Sequence, residues 1–147
     1  MLKIRFALSS LLLAFSLVMG APFASAHATL SSSVQKIEVT SIKMKTLKTF
    51  IDEQDMNAFT NSIKKAQHMK LLLDEESAGS IDCKMTITYG DGSSRHYFIW
   101  IMDDGRDVLI AQQKHPEDLH LKGYELNQKN SLHLTNLLKN ILYQLCF

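Results

Sequence analysis

The stretch SRHYFIWIM, residues 94–102, is apolar on both faces that a strand presents: His96, Phe98, Trp100 and Met102 on one side, Tyr97, Ile99 and Ile101 on the other. Side chains alternate across a strand, so a segment of this kind needs cover above and below and belongs in the middle of a sheet. Its flanks supply partners. IDCKMTITY upstream places Cys83, Met85, Ile87 and Tyr89 on one face, and Gly90-Asp91-Gly92 provides the positive φ angles of a tight hairpin. Downstream, Asp103-Asp104-Gly105-Arg106 reads as the next turn, DVLIAQQ as a strand, KHPED as a loop and LHLKGYEL as another strand. Links this short demand antiparallel pairing, because a parallel link needs a crossover of a dozen residues or more.

Two helices supply the cover. Met56, Phe59, Ile63 and Ala66 recur at three- and four-residue steps, with Lys64 and Lys65 on the opposite face. Asp52 is placed to cap this helix and Asp55 lies in its first turn, so a helix is predicted over 53–69. The end of the chain repeats the pattern more strongly, with Leu134, Leu137, Leu138, Ile141, Leu142 and Leu145 on one stripe and Asn127 or Asn130 as cap. Before the first helix, VQKIEVTSI alternates Ile37 and Val39 with polar residues as a half-buried strand does, and MKTLKTFI continues extended or as a second short strand. DEESAGS, residues 74–80, reads as a polar break. The expected fold is α+β, an antiparallel meander with two helices packed on one face, in the order β-α-β-β-β-β-α.

The first 26 residues stand apart. Lys3 and Arg5 precede an apolar run from about Ala7 to Met19, and Ala24-Ser25-Ala26 fits a small-residue cleavage site, the order of a secretory signal. The apolar run is shorter than the roughly 20 residues a membrane-spanning helix needs. Secretion is therefore expected, with a mature chain from His27, a flexible lead-in over 27–35, one domain over 36–147 and no stable membrane insertion. Loss of Lys3 and Arg5 from the 16 Lys and Arg leaves 14 against 15 Asp and Glu, a net charge of −1. A chain so nearly neutral lacks the overall basic excess that drives nucleic-acid binding. Cys83 and Cys146 both follow the signal, and an even count in an exported chain favours a bridge. Closing a loop of about 63 residues, it would contribute around 4 kcal/mol; the alternative is two buried thiols.

The segments TFIDEQDMNAFTNSIKKA, MTITYGDGSSRHYFIWI and YELNQKNSLHLTNLL resemble a group of small exported proteins and lipoproteins of Gram-positive bacilli to which no function is assigned. The shared features are an F-x-x-x-I-x-x-A helix, an aromatic strand after a D-G turn and a closing helix rich in leucine. The likeness covers about two thirds of the chain, lacks the lipoproteins' lipid-bearing cysteine, and implies fold and compartment without any catalytic residue. A looser similarity in topology, a helix before three strands broken by D-G turns, links it to small domains that accompany secreted peptidase precursors.

Candidate chemistry is sparse. His115 and His120 flank Glu117 and Asp118 in KHPEDLH and are of zinc-binding type, but their spacing matches no common zinc pattern, and Pro116 with Asp118 is explained by a loop. Asp103, Asp104 and Asp107 offer oxygens to calcium in an order unlike a calcium loop, with Arg106 offsetting one charge. Ser93 and Ser94 neighbour His96 without the geometry of a nucleophile and its base, so no catalytic residue and no cofactor is expected. The aromatic strand is the better candidate: Tyr89, Tyr97, Ile99, Trp100 and Ile101 would form an exposed patch if one sheet face lacks a helix. The expected function is a small secreted, non-enzymatic module that binds a protein, peptide or cell-wall component. Alternatives are an inhibitor or chaperone-like module for a secreted peptidase, and a metal-dependent hydrolase.

Overall fold

A computed structural model describes residues 33–143. The signal segment, most of the lead-in, Leu145 of the expected closing stripe and Cys146 lie outside these residues. Seven strands, β1 (Val34–Ser41), β2 (Leu47–Phe50), β3 (Gln67–Leu72), β4 (Cys83–Tyr89), β5 (Ser94–Met102), β6 (Asp107–Gln113) and β7 (His120–Glu125), form one sheet in the order β2-β1-β4-β5-β6-β7-β3. Every pairing is antiparallel. The doubly apolar strand β5 is the fourth of seven, at the centre of the sheet, and β4 to β7 form the expected meander. The fold is α+β.

Helices α1 (Glu53–Lys65) and α3 (Gln128–Leu142) pack on the same face. Asp52 caps α1 by accepting from the backbone N–H groups of Gln54 and Asp55 at 2.9 and 3.3 Å. Asn127 caps α3 by accepting from Asn130 N at 2.9 Å. Their stripes, Met56 and Phe59 from α1 and Leu134, Leu138 and Ile141 from α3, close over Ile37, Val39, Met85, Ile87, Tyr97, Ile99, Val108 and Ile110 in one core. Full burial of a side chain of this size contributes roughly 1.5–3 kcal/mol each, which makes this contact the main source of stability. Strand β2 and the residue before it fasten the far end of α3: Lys48 Nζ donates to Leu137 O at 2.8 Å, and Thr46 Oγ1 donates at 3.1 Å to Ile141 O, one of the last four carbonyls that a helix leaves unpaired.

Three local expectations are corrected. Helix α1 stops at Lys65, and Ala66 is extended (φ −72°, ψ 154°), so residues 67–69 are not helical. Instead Gln67–Leu72 pairs with β7 over six residues as an edge strand that periodicity did not indicate, since neither of its faces is well buried. The segment taken as a polar break contains a short helix, α2 (Glu75–Gly79), held by a reciprocal cap between Asp74 and Ser77. It adjoins a second, smaller cluster on the opposite sheet face, made of Ile81, Trp100, Ala111 and Leu121, to which it is tied by the Ser77 carbonyl, which accepts the Trp100 indole N–H at 2.8 Å.

The turn between β5 and β6 is pinned to α3. Asp103, Asp104 and Gly105 have φ of 46°, 53° and 86°, and Thr135 Oγ1 donates to Gly105 O at 3.2 Å in the buried interior. A Cβ on Gly105 would stand 2.4 Å from Thr135 Cγ2. Gly105→Ala is therefore expected to lose roughly 1–3 kcal/mol through strained backbone together with this clash. Gly79→Ala, where a Cβ meets nothing within 4 Å, should change stability by less than about 1 kcal/mol. Urea unfolding of the two variants checks the contrast.

Candidate functional site

Two helices cannot cover seven strands. The outer strands stand about 29 Å apart, from six steps of ~4.8 Å, whereas two packed helices of ~10 Å diameter shield about 20 Å. The uncovered part of the helix-side face lies at the β5 start, the β6 end, the β7 start and β3, and the strand registers define what occupies it. In one cross-strand row, Ile99, Ile110, Tyr124 and His68 stand side by side, running from core to edge. One step outward the row is Met85, Tyr97, Gln112, Lys122 and Lys70. Beyond it come Arg95, opposite Ile87, and His120, opposite Leu72.

Away from the core the face thus gains Arg95 on β5, Lys122 on β7 and Lys70 on β3, with the neutral Gln112 between them on β6. Lys70 and Lys122 are direct cross-strand partners, an arrangement of like charges that destabilises a sheet. Among the described residues neither lysine, nor Arg95 or Lys114, takes part in an ion pair; the three pairs present involve Lys36, Lys43 and Arg106. The surface is concave. A hollow of about 770 Å³ is lined by His68, Lys70, Lys114, His120 and Lys122. One of about 450 Å³ shares Gln112, Lys114 and Lys122 with it and adds Arg95. A third, of about 640 Å³, continues from Arg95 past Tyr89 and Tyr97 to Thr60 and Lys64 of α1.

Tyrosines form the floor. The Arg95 guanidinium lies 5.2 Å from the centroid of the Tyr89 ring, and Lys122 Nζ lies 5.4 Å from that of Tyr124. His68 meets Tyr124 edge-on at 5.2 Å between ring centroids. The Tyr97 hydroxyl is pushed up to about 12, first by burial and then by the neighbouring Tyr89, with Arg95 pulling the other way. It stays protonated, and available as a donor, at any physiological pH. The carboxylates lining these hollows are Glu53 and Asp118. Asp118 Oδ2 is engaged by His115 N at 2.9 Å, closing the loop before β7.

The other candidates fare differently. Tyr97, Ile99 and Trp100 are 4 %, 0 % and 5 % exposed, so the open aromatic patch expected around them is corrected: Tyr97 and Ile99 lie under the helices, and Trp100 lies in the cluster beside α2. Tyr89 is half-buried at the cationic hollow and Ile101 is half-buried against the main core. Cys83 is buried, and burial, followed by the nearby Asp82, pushes its thiol up to about 12, which leaves it unreactive. The Cys83–Cys146 bridge concerns a residue outside those described. Asp103, Asp104 and Asp107 sit at an exposed turn where Arg106 Nε lies 3.8 Å from Asp103 Oδ2. His115 stays in its loop while His120 faces the hollow, and among the described residues no three His, Cys, Asp or Glu side chains are grouped to hold a metal ion. Ser93 Oγ donates to Asp91 Oδ1 at 2.6 Å within the hairpin, which holds the Asp91 carboxyl below its ordinary value.

His68, Lys70, Lys122 and Tyr124 were missed in the sequence because β3 was missed: only its pairing with β7 brings Lys70 against Lys122. The chain matches no family model, no curated protein and no solved structure.

Both Cys83 and Tyr97 titrate higher in the fold than their ordinary 9.0 and 10.0. The unfolded chain loses these protons first, so stability is complete below pH 9 and falls as pH rises toward 12. Denaturant unfolding at pH 8 and pH 11 should show that fall, and Tyr97→Phe should make it shallower; an equal fall in the variant contradicts the assignment.

Proposed function

We propose that this domain is an exported binding module that performs no chemistry of its own and holds an anionic partner outside the cell, in keeping with its resemblance to small exported proteins of Gram-positive bacilli. The observation that carries this reading is the opposed Lys70–Lys122 pair, set in a concave surface with Arg95 and Lys114 and left without ion-pair partners among the described residues. Folding alone gains nothing from gathering these charges. Bringing two lysines opposite each other costs stability, and an anion lying between them removes that cost while making charge-assisted hydrogen bonds.

A chain with near-neutral total charge and a local cationic hollow suits selective binding better than general adhesion to polyanions, because long-range attraction is weak and the contact has to be made at the site. The expected patch of Tyr89, Tyr97, Ile99, Trp100 and Ile101 enters the proposal only through Tyr89 and Tyr97, which support Arg95.

Calorimetric titration of the domain from His27 with low-molecular-weight dextran sulfate, as a soluble polyanion, tests the proposal. Binding is expected to weaken about tenfold or more between 50 and 200 mM salt. Lys70→Glu with Lys122→Glu should abolish it, while Lys139→Glu, on the exposed side of α3, leaves it intact. Equal binding by wild type and the Lys70/Lys122 variant would sink the proposal.

A further inference from the structure

Resting on that binding reading, we infer that the anionic partner is a protein with an extended acidic segment, which adds to the seven-stranded sheet as a further strand along β3. The first ground is an open edge. β2 and β3 are the two outer strands. β2 is four residues long, and Lys48, with Thr46 just before the strand, ties it to α3. Shortness and cover are ways in which a sheet edge is blunted against pairing. β3 has neither: it runs for six residues in unbroken register with β7, five of them exposed. Bonded and non-bonded pairs alternate along an antiparallel ladder. Leu73 N donates to Leu119 O at 2.7 Å, in the same register as Leu71 with Leu121 and Met69 with Gly123, so these residues bond to β7. His68, Lys70 and Leu72 therefore turn their N–H and C=O groups outward. Ser77 Oγ donates to Leu72 O at 3.2 Å, and among the described residues the outward groups of His68 and Lys70 have no partner. A peptide main chain offers donors and acceptors at this repeat, which is how a sheet edge recognises an extended segment.

The second ground is what the side chains beside that edge would meet. His68, Lys70 and Leu72 share a face with their β7 partners Tyr124, Lys122 and His120. Side chains alternate along a strand and line up across strands, so every second residue of an added strand joins these rows. At Lys70 the row already holds Lys122 and Gln112, and a carboxylate placed there offsets the opposed lysines. The row at Leu72 suits an apolar residue, since Leu72 is 52 % exposed and Asp118 lines the same hollow as His120. On the other face the added strand passes Met69, also exposed, and Leu71, which packs on the smaller cluster. The segment that fits alternates acidic residues on the lysine side with apolar ones on the other.

The third ground concerns the other peptide edge at hand, a second copy of this chain. Two β3 strands paired antiparallel over all their outward groups would set Lys70 against its own copy and His68 against Leu72. Like charges directly opposite each other destabilise a pair, and lysine on an edge strand is a common guard against self-association. The residue that repels a second copy attracts an acidic strand.

The test titrates the chain from His27, at low ionic strength, with a short peptide alternating Glu and Val and with its counterpart alternating Lys and Val. Two further forms of the first peptide are N-methylated at every Glu or at every Val. The Glu–Val peptide is expected to bind and the Lys–Val peptide to fail. Only one phase of the peptide's amides faces β3, so one methylated form should bind about tenfold or more weakly, through loss of two or more hydrogen bonds, and the other about as well as the parent. Hydrogen exchange at the His68 and Lys70 amides should slow on peptide addition, and Lys70→Glu with Lys122→Glu should abolish binding. Equal binding by the two methylated forms, or unchanged exchange at His68 and Lys70, overturns the added strand; if dextran sulfate still requires Lys70 and Lys122, the anion-binding reading stands. Equal binding of the Lys–Val peptide overturns the acidic assignment. His68 and Lys70 amides already slow in a dimer of the chain give the edge to a second copy and overturn the proposal. If neither the peptide nor dextran sulfate responds to Lys70 and Lys122, both readings fall together.

Discussion

The structure depends on a mismatch of widths. One core, centred on Ile99 and Ile110, is built by laying two helices across a sheet too wide for them. Beneath α1 and α3 the strand faces are Ile, Val, Met and Tyr; where the helices end, the same faces carry Arg95, Gln112, Lys122 and Lys70. Leaving apolar residues there would create a sticky patch, so the simplest solution for a folded chain is a mixed polar surface. The surface present instead gathers Arg95, Lys70, Lys114 and Lys122, without ion-pair partners among the described residues, beside the carboxylates Asp118 and Glu53. That departure from the simplest solution is the reason to assign it a function.

The opposite face follows another rule. There β5 shows Phe98 and Trp100, and the chain packs them locally with Leu71 and Leu73 at the end of β3 and Ile81 just before β4. The Trp100 indole finds its acceptor in α2 at Ser77 O, and no buried side-chain nitrogen or oxygen is unpartnered among the described residues. The turn at Gly105 and the cap at Asn127 tie the meander to α3, and Ser131 Oγ accepts from Val108 N at 3.1 Å inside the same seam. The interior is accordingly accounted for by packing, whereas the cations gathered between Arg95 and Lys70 are not.

Much of this was legible in the sequence. Alternation on both faces of SRHYFIWIM placed β5 at the centre, and the Asp52 cap, the stripe of α3 from Leu134 to Leu142 and the D-G turns appear as read, because each is a local rule obeyed locally. The failures have one cause. QHMKLL has no alternation to detect, since an edge strand far from both helices buries neither face, and its pairing with β7 is decided by a partner about fifty residues away. Without β3 there is no Lys70 beside Lys122, and the histidines of KHPEDLH were weighed as metal ligands. In the fold His120 lines the hollow beside Lys70 and Lys122, and His115 belongs to a closed loop. The aromatic patch was misjudged for a related reason: Tyr97 and Ile99 were correctly assigned to one face, but sequence does not say which face the helices take.

The central claim is that Lys70 and Lys122 repel each other in the free protein and that the fold tolerates it. A double-mutant cycle with Lys70→Gln, Lys122→Gln and the pair, followed by denaturant unfolding at low ionic strength, measures this directly, since glutamine keeps part of the aliphatic stem and removes the charge. The account predicts a repulsive coupling of about 0.2–1 kcal/mol that vanishes in high salt. Zero or attractive coupling at low salt would mean that the two cations already have their partners within the chain, and would contradict it.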